Sequence, residues 1–272
     1  MTERASRISL RSLALIYLAA ILFIPVALVF YRAFEPGLAA FVDAVTTPEA
    51  QHAFWLTLVC TIISVPLNTI FGVAAAIYVV RGKGPGRRLL DAVIDLPFAV
   101  SPVVVGLALV LVWGQNGWFG ESLTDAGFQV IFALPGMILA TMFVSLPFVA
   151  REVIPVLREI GDEQEQAAHT LGANNWQTLW RITIPSIKWG LGYGVVLTTA
   201  RAIGEFGAVA VVSGKIVGQT DTATLYVANQ FENFNLSVAY AVSVVLAIAA
   251  LVVIVGMTVL QHRQERSAEE ES

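Results

Sequence analysis

Residues 50–80 read AQHAFWLTLVCTIISVPLNTIFGVAAAIYVV, thirty-one positions without an Asp, Glu, Lys or Arg. A helix rises about 1.5 Å per residue, so about 20 apolar residues cross the hydrocarbon core of a bilayer. The run is long enough to cross. It also lacks the strict alternation of a barrel strand, and in lipid only helices and closed barrels satisfy every backbone group. It is read as a transmembrane helix, and the rest of the chain follows from it. Further charge-free runs cover 12–31, 96–120, 126–150 and 233–262, and a similar run at 189–214 is broken only by Arg201 and Glu205. The pattern predicts an all-α integral membrane protein with six transmembrane helices, at about 12–33, 54–80, 94–114, 130–151, 187–213 and 236–261. Composition agrees: 57% of residues are hydrophobic, mean hydropathy is +0.74, and only 13% are charged. A soluble domain carries about a quarter charged residues.

The first run follows Arg4, Arg7 and Arg11, as a signal peptide would. It is longer than a signal core and lacks a clear small-residue cleavage site, so it is read as an uncleaved span. Orientation follows from Lys and Arg. Arg4, Arg7, Arg11, Arg81, Lys83, Arg87, Arg88, Arg151, Arg158, Arg181, Lys188, Arg263 and Arg266 fall on one side, and only Arg32 and Lys215 on the other. The thirteen-residue side is expected to be cytoplasmic, with both termini inside. Prolines 25, 66, 97, 102, 135 and 147 lie within spans; they serve either bundle packing, the favoured reading for most, or gating hinges. The expected organisation is one transmembrane domain over 1–264 with a disordered acidic tail at 265–272. The single cysteine, Cys60, forms no internal disulfide, and no Cys/His cluster points to a metal.

The segment between the fourth and fifth spans is the most informative. Loops that long carry structure or function. Residues 162–185 read as two short helices. Asp162 is placed to cap the first, with Glu163 and Glu165 in its first turn. Gly172 fits the left-handed position that ends it. Asn174 or Asn175 caps the second, which carries Trp176, Leu179, Trp180 and Ile182, and Pro185 breaks it. On pattern alone, the pair is either a docking element beneath the bundle or an amphipathic pair on the lipid surface.

The stretch Glu165-Gln166-Ala167-Ala168-His169-Thr170-Leu171-Gly172, followed after nine residues by Ile182-Thr183-Ile184-Pro185, resembles the EAA loop of binding-protein-dependent ABC importer permeases. Gln166 stands where that family has Glu, and Ile184 where it has Leu. The resemblance implies that the loop is a cytoplasmic coupling-helix element docking into an ATP-binding subunit, through Glu165, Ala167, Ala168, Gly172, Ile182 and Pro185. The segments IDLPFAVSPVVVGL (94–107), QNGWFG (115–120), PFVAREVIP (147–155) and ARAIGEFGAVAVVSG (200–214) are similar to sulfate/thiosulfate permeases of the CysW type. Molybdate permeases share the Arg-x-x-Gly-Glu pattern, so the anion stays open between the two. The resemblance implies a complex in a prokaryotic inner membrane: a second permease of the CysT type, two copies of an ATPase that holds ATP and magnesium, and an external sulfate-binding protein. No nucleic acid is implied.

Arg201 and Glu205 are four apart, on one face of a helix. Charges at mid-bilayer are costly, so both are expected to face protein or water and to pair. Gly204 and Gly207 beside them permit close helix approach. Either Arg201 lines the path of an oxyanion with Glu205 holding it, or the pair only closes the bundle. The outer rim carries Glu35, Asp43, Glu49, Glu121, Asp125, Asp221 and Glu232 against Arg32 and Lys215. That field repels a free dianion, which a shielding binding protein resolves. The chain has no G-x-x-x-x-G-K-[ST] phosphate loop, so ATP hydrolysis is expected in a partner and no catalytic residue here. An ion-coupled transporter would carry carboxylates in several spans, and only Glu205 qualifies. A membrane-embedded enzyme would need a buried catalytic constellation, and His52, His169 and His262 sit at span edges or in loops.

Overall fold

The computed structural model describes residues 13–253, 255 and 256, with the backbone of the terminal helices around them. The described residues are helical, with no strand among them. In chain order the helices are α1 (Thr2–Phe34), α2 (Leu38–Val45), α3 (Pro48–Arg81), α4 (Gly86–Ile94), α5 (Leu96–Ala99), α6 (Pro102–Trp113), α7 (Gly120–Asp125), α8 (Leu134–Ser145) and α9 (Pro147–Ile160). They continue as α10 (Glu163–Thr170), α11 (Asn175–Thr178), α12 (Ile184–Ser186), α13 (Lys188–Ile203), α14 (Gly207–Val212), α15 (Ala223–Glu232) and α16 (Leu236–Glu271). The expected tail at 265–272 lies outside the described residues.

Four stretches are long and apolar enough to cross a membrane: Leu13–Phe34, Pro48–Arg81, Leu134–Ile160 and Leu236–Val253. The expected third span is not one straight rod. The α4–α5 arm and α6 meet at 112°. Pro102 explains the corner: it starts α6, lacks an N–H, and forces Ser101 before it out of the helical region, to φ −59° and ψ 134°. The expected fifth span is also broken. Its helix α13 stops at Ile203, and Glu205 and Phe206 are non-helical before α14 begins. Sixteen residues of α13 reach only about 24 Å, short of the roughly 30 Å hydrocarbon core.

The bundle centres on α3, which packs against α8, α9 and α13, while α14 packs on α6 and α8. Close approach is set by missing side chains. A Cβ on Gly72 would sit 2.7 Å from Val149 Cβ, and one on Gly194 would sit 2.9 Å from Val149 Cα. Helices α3 and α13 therefore both press onto α9 at one residue, as small-residue interfaces do in membranes. Asn68 is fully buried on α3 and donates to the Met142 carbonyl and to Ser145 Oγ, both at 2.9 Å, which ties α3 to α8. The α1 surface is exposed and apolar from Leu13 to Leu28, the face a lipid-contacting helix presents.

Candidate functional site

Two regions gather the residues singled out above. The first is the loop after α9. The expected Asp162 cap makes no side-chain bond to the start of α10. Gly172 does adopt the left-handed conformation, φ +87°, and a Cβ there would meet nothing within 4 Å. Its glycine is thus a matter of backbone, not space. The turn is closed by the Ala173 N–H on the Ala168 carbonyl and the Gly172 N–H on the His169 carbonyl, both 3.0 Å. Asn174 then caps α11 in a reciprocal box with Gln177, at 2.8 and 3.0 Å. Pro185 does not stop the segment. Residues Leu179–Thr183 form a π-helical turn that leads directly into α12, the kind of irregularity that gathers at functional positions.

Glu165 is one of the residues through which the resemblance implies docking. It turns inward instead. Its Oε2 accepts from Arg81 Nε at the end of α3, and its Oε1 accepts from Thr183 Oγ1 in the π turn, each at 2.9 Å. The Arg81 guanidinium also donates to the Gly161 carbonyl. One carboxylate thus joins α3, α10 and the segment leading to α13. Ala168 is buried, Ile182 half-buried, and Ala167, Gly172 and Pro185 exposed. The outward surface of the loop sets large apolar side chains among polar ones: Leu171 is 88% exposed, and Trp176 and Trp180 are exposed edge to face with centroids 5.6 Å apart. The exposure of Leu171 has no counterpart in the sequence reading, although its place beside the turn glycine could have drawn attention to it.

The second region lies where the two broken helices meet. Arg201 and Glu205 do pair, Nη2 to Oε2 at 2.6 Å, but not along one helix, because α13 ends between them. Glu205 is 3% exposed and serves three elements. Its Oε1 accepts the Ala208 N–H at 2.9 Å and so caps α14, and its carbonyl accepts from Thr224 Oγ1 at 2.6 Å near the start of α15. Arg201 is 30% exposed and lines a cleft of about 390 Å³ with Pro97, Ser101, Pro102, Val144 and Phe148. The cap and first residue of α6 belong to that lining, so the positive end of the α6 dipole opens on the same space as the guanidinium. Gly207 allows the approach: a Cβ there would sit 2.9 Å from Pro102 Cβ. Gly204 does not share that role, since it is exposed and a Cβ there would meet only the Ala200 carbonyl at 3.6 Å. A cation and a helix N-terminus lining one cleft favour a negatively charged visitor, and Glu205 balances the charge of Arg201.

The acidic group counted on the outer rim loses one member. Asp221 is 1% exposed, both of its oxygens are buried, and neither has a hydrogen-bond partner among the described residues. Burial pushes its carboxyl up to about 6, with Asn229 and Lys215 offsetting only part of that.

Residues 68–269 match the family described as binding-protein-dependent transport system inner membrane component. The chain is 52% identical over 252 residues to the sulfate transport system permease protein CysW of Synechocystis sp., covering 93% of this chain and 91% of that one. It is 34% identical over 250 residues to the sulfate transport system permease protein CysT of Escherichia coli K12, covering 92% and 90%. Among solved structures, a bacterial ABC transporter involved in the import of the acidic polysaccharide alginate superposes with a TM-score of 0.77 at 18% identity, over 97% of this chain and 96% of that one. At that identity the likeness concerns the fold.

Proposed function

Because this chain belongs to the binding-protein-dependent transport system inner membrane component family, we propose that it is the membrane subunit of an ATP-driven sulfate/thiosulfate importer. It is a transport component and not a catalyst. The observation that carries the anion reading is the Arg201 cleft, which is lined both by that residue and by the first residues of α6. Discontinuous helices whose N-terminal ends point at an anionic substrate are a known way to build a site at the bilayer midplane.

In this reading the six spans are α1, α3, the bent α4–α6 unit, α8–α9, the broken α13–α14 unit and α16. Both termini are cytoplasmic, on the basic side. The loop 162–185 hangs beneath and meets an ATPase through Leu171, Trp176 and Trp180 in addition to Ala167 and Gly172. Glu165 works behind that surface: through Arg81 and Thr183 it passes displacement of the loop to α3 and α13. Sulfate arrives from an external binding protein, exchanges part of its hydration for Arg201 and the start of α6, and leaves to the cytoplasm when the helices shift. A CysT-type chain completes the pore, two ATPase copies supply ATP and magnesium chemistry, and no nucleotide site is assigned to this chain.

Uptake of labelled sulfate by cells lacking this chain, with and without its restoration, tests the reading. Restored uptake, competed by thiosulfate more than by molybdate, is expected. Unchanged sulfate uptake with lost molybdate uptake would move the chain to the other oxyanion.

A further inference from the structure

The turn between α3 and α4 has no part in either region above, yet it gathers three of the residues of the basic side. Lys83, Arg87 and Arg88 are exposed, and none of them forms an ion pair among the described residues. Their neighbours are engaged elsewhere. Arg81 is held by Glu165. The two acids that follow, Asp91 and Asp95, are both held by Arg151, at 2.8 and 2.6 Å. The three free cations border a cavity of about 550 Å³ that is lined by Gly82, Lys83, Gly84, Pro85, Arg87 and Arg88 and contains no acid. That space exceeds what a single tetrahedral anion needs.

Helix α4 adds an independent feature. One of its sides is part of the protein: Ile94 is fully buried, and Leu90 packs against the same core as α9. A neighbouring side, about 100° round the helix, is apolar as well, with Leu89 68% and Val93 42% exposed one turn apart, followed by exposed Leu96. A small soluble anion would engage the cations alone and make no use of the apolar strip beside them. A phospholipid uses both, phosphate on the cations and acyl chains along the strip.

We propose that residues 82–88 and the outward side of α4 form a binding site for the headgroup of an anionic phospholipid in the cytoplasmic leaflet. The proposal rests on the topology argued above, which puts this turn on the basic side. It also gives the lipid a position of consequence. The α4–α5 arm ends near Pro97 and Phe98, which line the Arg201 cleft, and the Arg151 clamp on Asp91 and Asp95 fixes the middle of the arm to α9. A lipid seated on α4 holds the far end of the same arm.

The test uses the assembled transporter in nanodiscs of phosphatidylcholine with and without phosphatidylglycerol, released into native mass spectrometry. Wild type is expected to retain phosphatidylglycerol in preference to phosphatidylcholine. Lys83→Gln/Arg87→Gln/Arg88→Gln together should lower that preference by about a hundredfold, from the usual contribution of a basic residue near an anionic surface. A second variant, Leu89→Gln/Val93→Gln, keeps every charge and should also lower retention, so the result does not hang on one variant folding. Equal retention in both variants and wild type overturns the proposal. Loss of phosphatidylglycerol on adding inorganic phosphate, at matched ionic strength, overturns it in favour of a soluble-anion site. Reporter fusions at Asn174 and Gly120 read the topology separately. Should they place Asn174 outside, the cytoplasmic assignment fails even where lipid retention is found.

Discussion

Breaking the Arg81–Glu165 link should uncouple ATP hydrolysis from transport while leaving the pore in place. Each side chain is about one-fifth exposed, 20% and 19%, so solvent screens the pair only partly. A charge-assisted hydrogen bond contributes about 1.5–3 kcal/mol, whereas an exposed ion pair contributes 0 to about 1 kcal/mol. This pair falls between, and a coupling energy of about 1–2 kcal/mol is expected. Glu165→Gln keeps an acceptor for Thr183 but loses the charge that holds Arg81, which retains only the Gly161 carbonyl. The assay is a cycle of Arg81→Gln, Glu165→Gln and the double variant in proteoliposomes. It reads thermal stability of the assembled complex and the number of ATP hydrolysed per sulfate moved. All three variants should hydrolyse more ATP per sulfate, and the double variant should be no worse than the more damaging single one. Strict additivity, within the roughly 0.3–0.5 kcal/mol found for independent sites, with an unchanged ATP-to-sulfate ratio, would refute a transmitting role for this link.

Three further outcomes follow from particular positions. Gly172→Val should cost about 1–2 kcal/mol of backbone strain at φ +87° and weaken ATPase association without affecting insertion, as checked by co-purification. Gly207→Val would drive side-chain atoms into Pro102, now 2.9 Å from where its Cβ would lie. It should lower complex yield by an overpacking penalty of about 1–3 kcal/mol, and more than Gly204→Val does. Asp221 has a folded pKa of about 6 against an ordinary 3.8. Its raised value means that the charged form is penalised in the folded chain. The cost is therefore full above pH 6 and disappears as pH falls from 6 towards 4. Asp221→Asn should raise thermal stability at pH 7.5, on the order of 2 kcal/mol, and flatten the pH dependence in that window.

Much of the fold was legible because bilayer crossing leaves a long, local signature. The charge-free runs at 12–31, 50–80, 126–150 and 233–262 correspond to α1, α3, α8–α9 and α16. The breaks in the other two units were not legible. Hydropathy sums composition and is blind to direction, so Ser101-Pro102 reads as part of an apolar run although it turns the chain through 112°. Gly172 and Asn174 were readable because turn and cap chemistry is local. Asp162 stood in a cap position without forming the bond, since position alone does not orient a side chain. The partner of Glu165 lies 84 residues away, and no short-range pattern announces it. Arg201 and Glu205 pair as their spacing predicted, yet for another reason: the helix ends, and Glu205 folds back to cap α14 while reaching Arg201.

If Arg201 meets the anion, a cycle at the Arg201–Glu205 pair separates that role from a structural one. Glu205→Gln still offers an oxygen to the Ala208 N–H, so the α14 cap survives and only the charge is lost. Arg201→Gln strands a buried carboxylate, Glu205→Gln strands a cation, and each should reduce complex yield; the double variant strands neither. Complex yield and sulfate uptake are to be measured separately for all three. Yield is expected to recover in the double variant while uptake stays lost. Recovery of uptake along with yield would contradict an anion contact at Arg201, leaving the pair as structure alone.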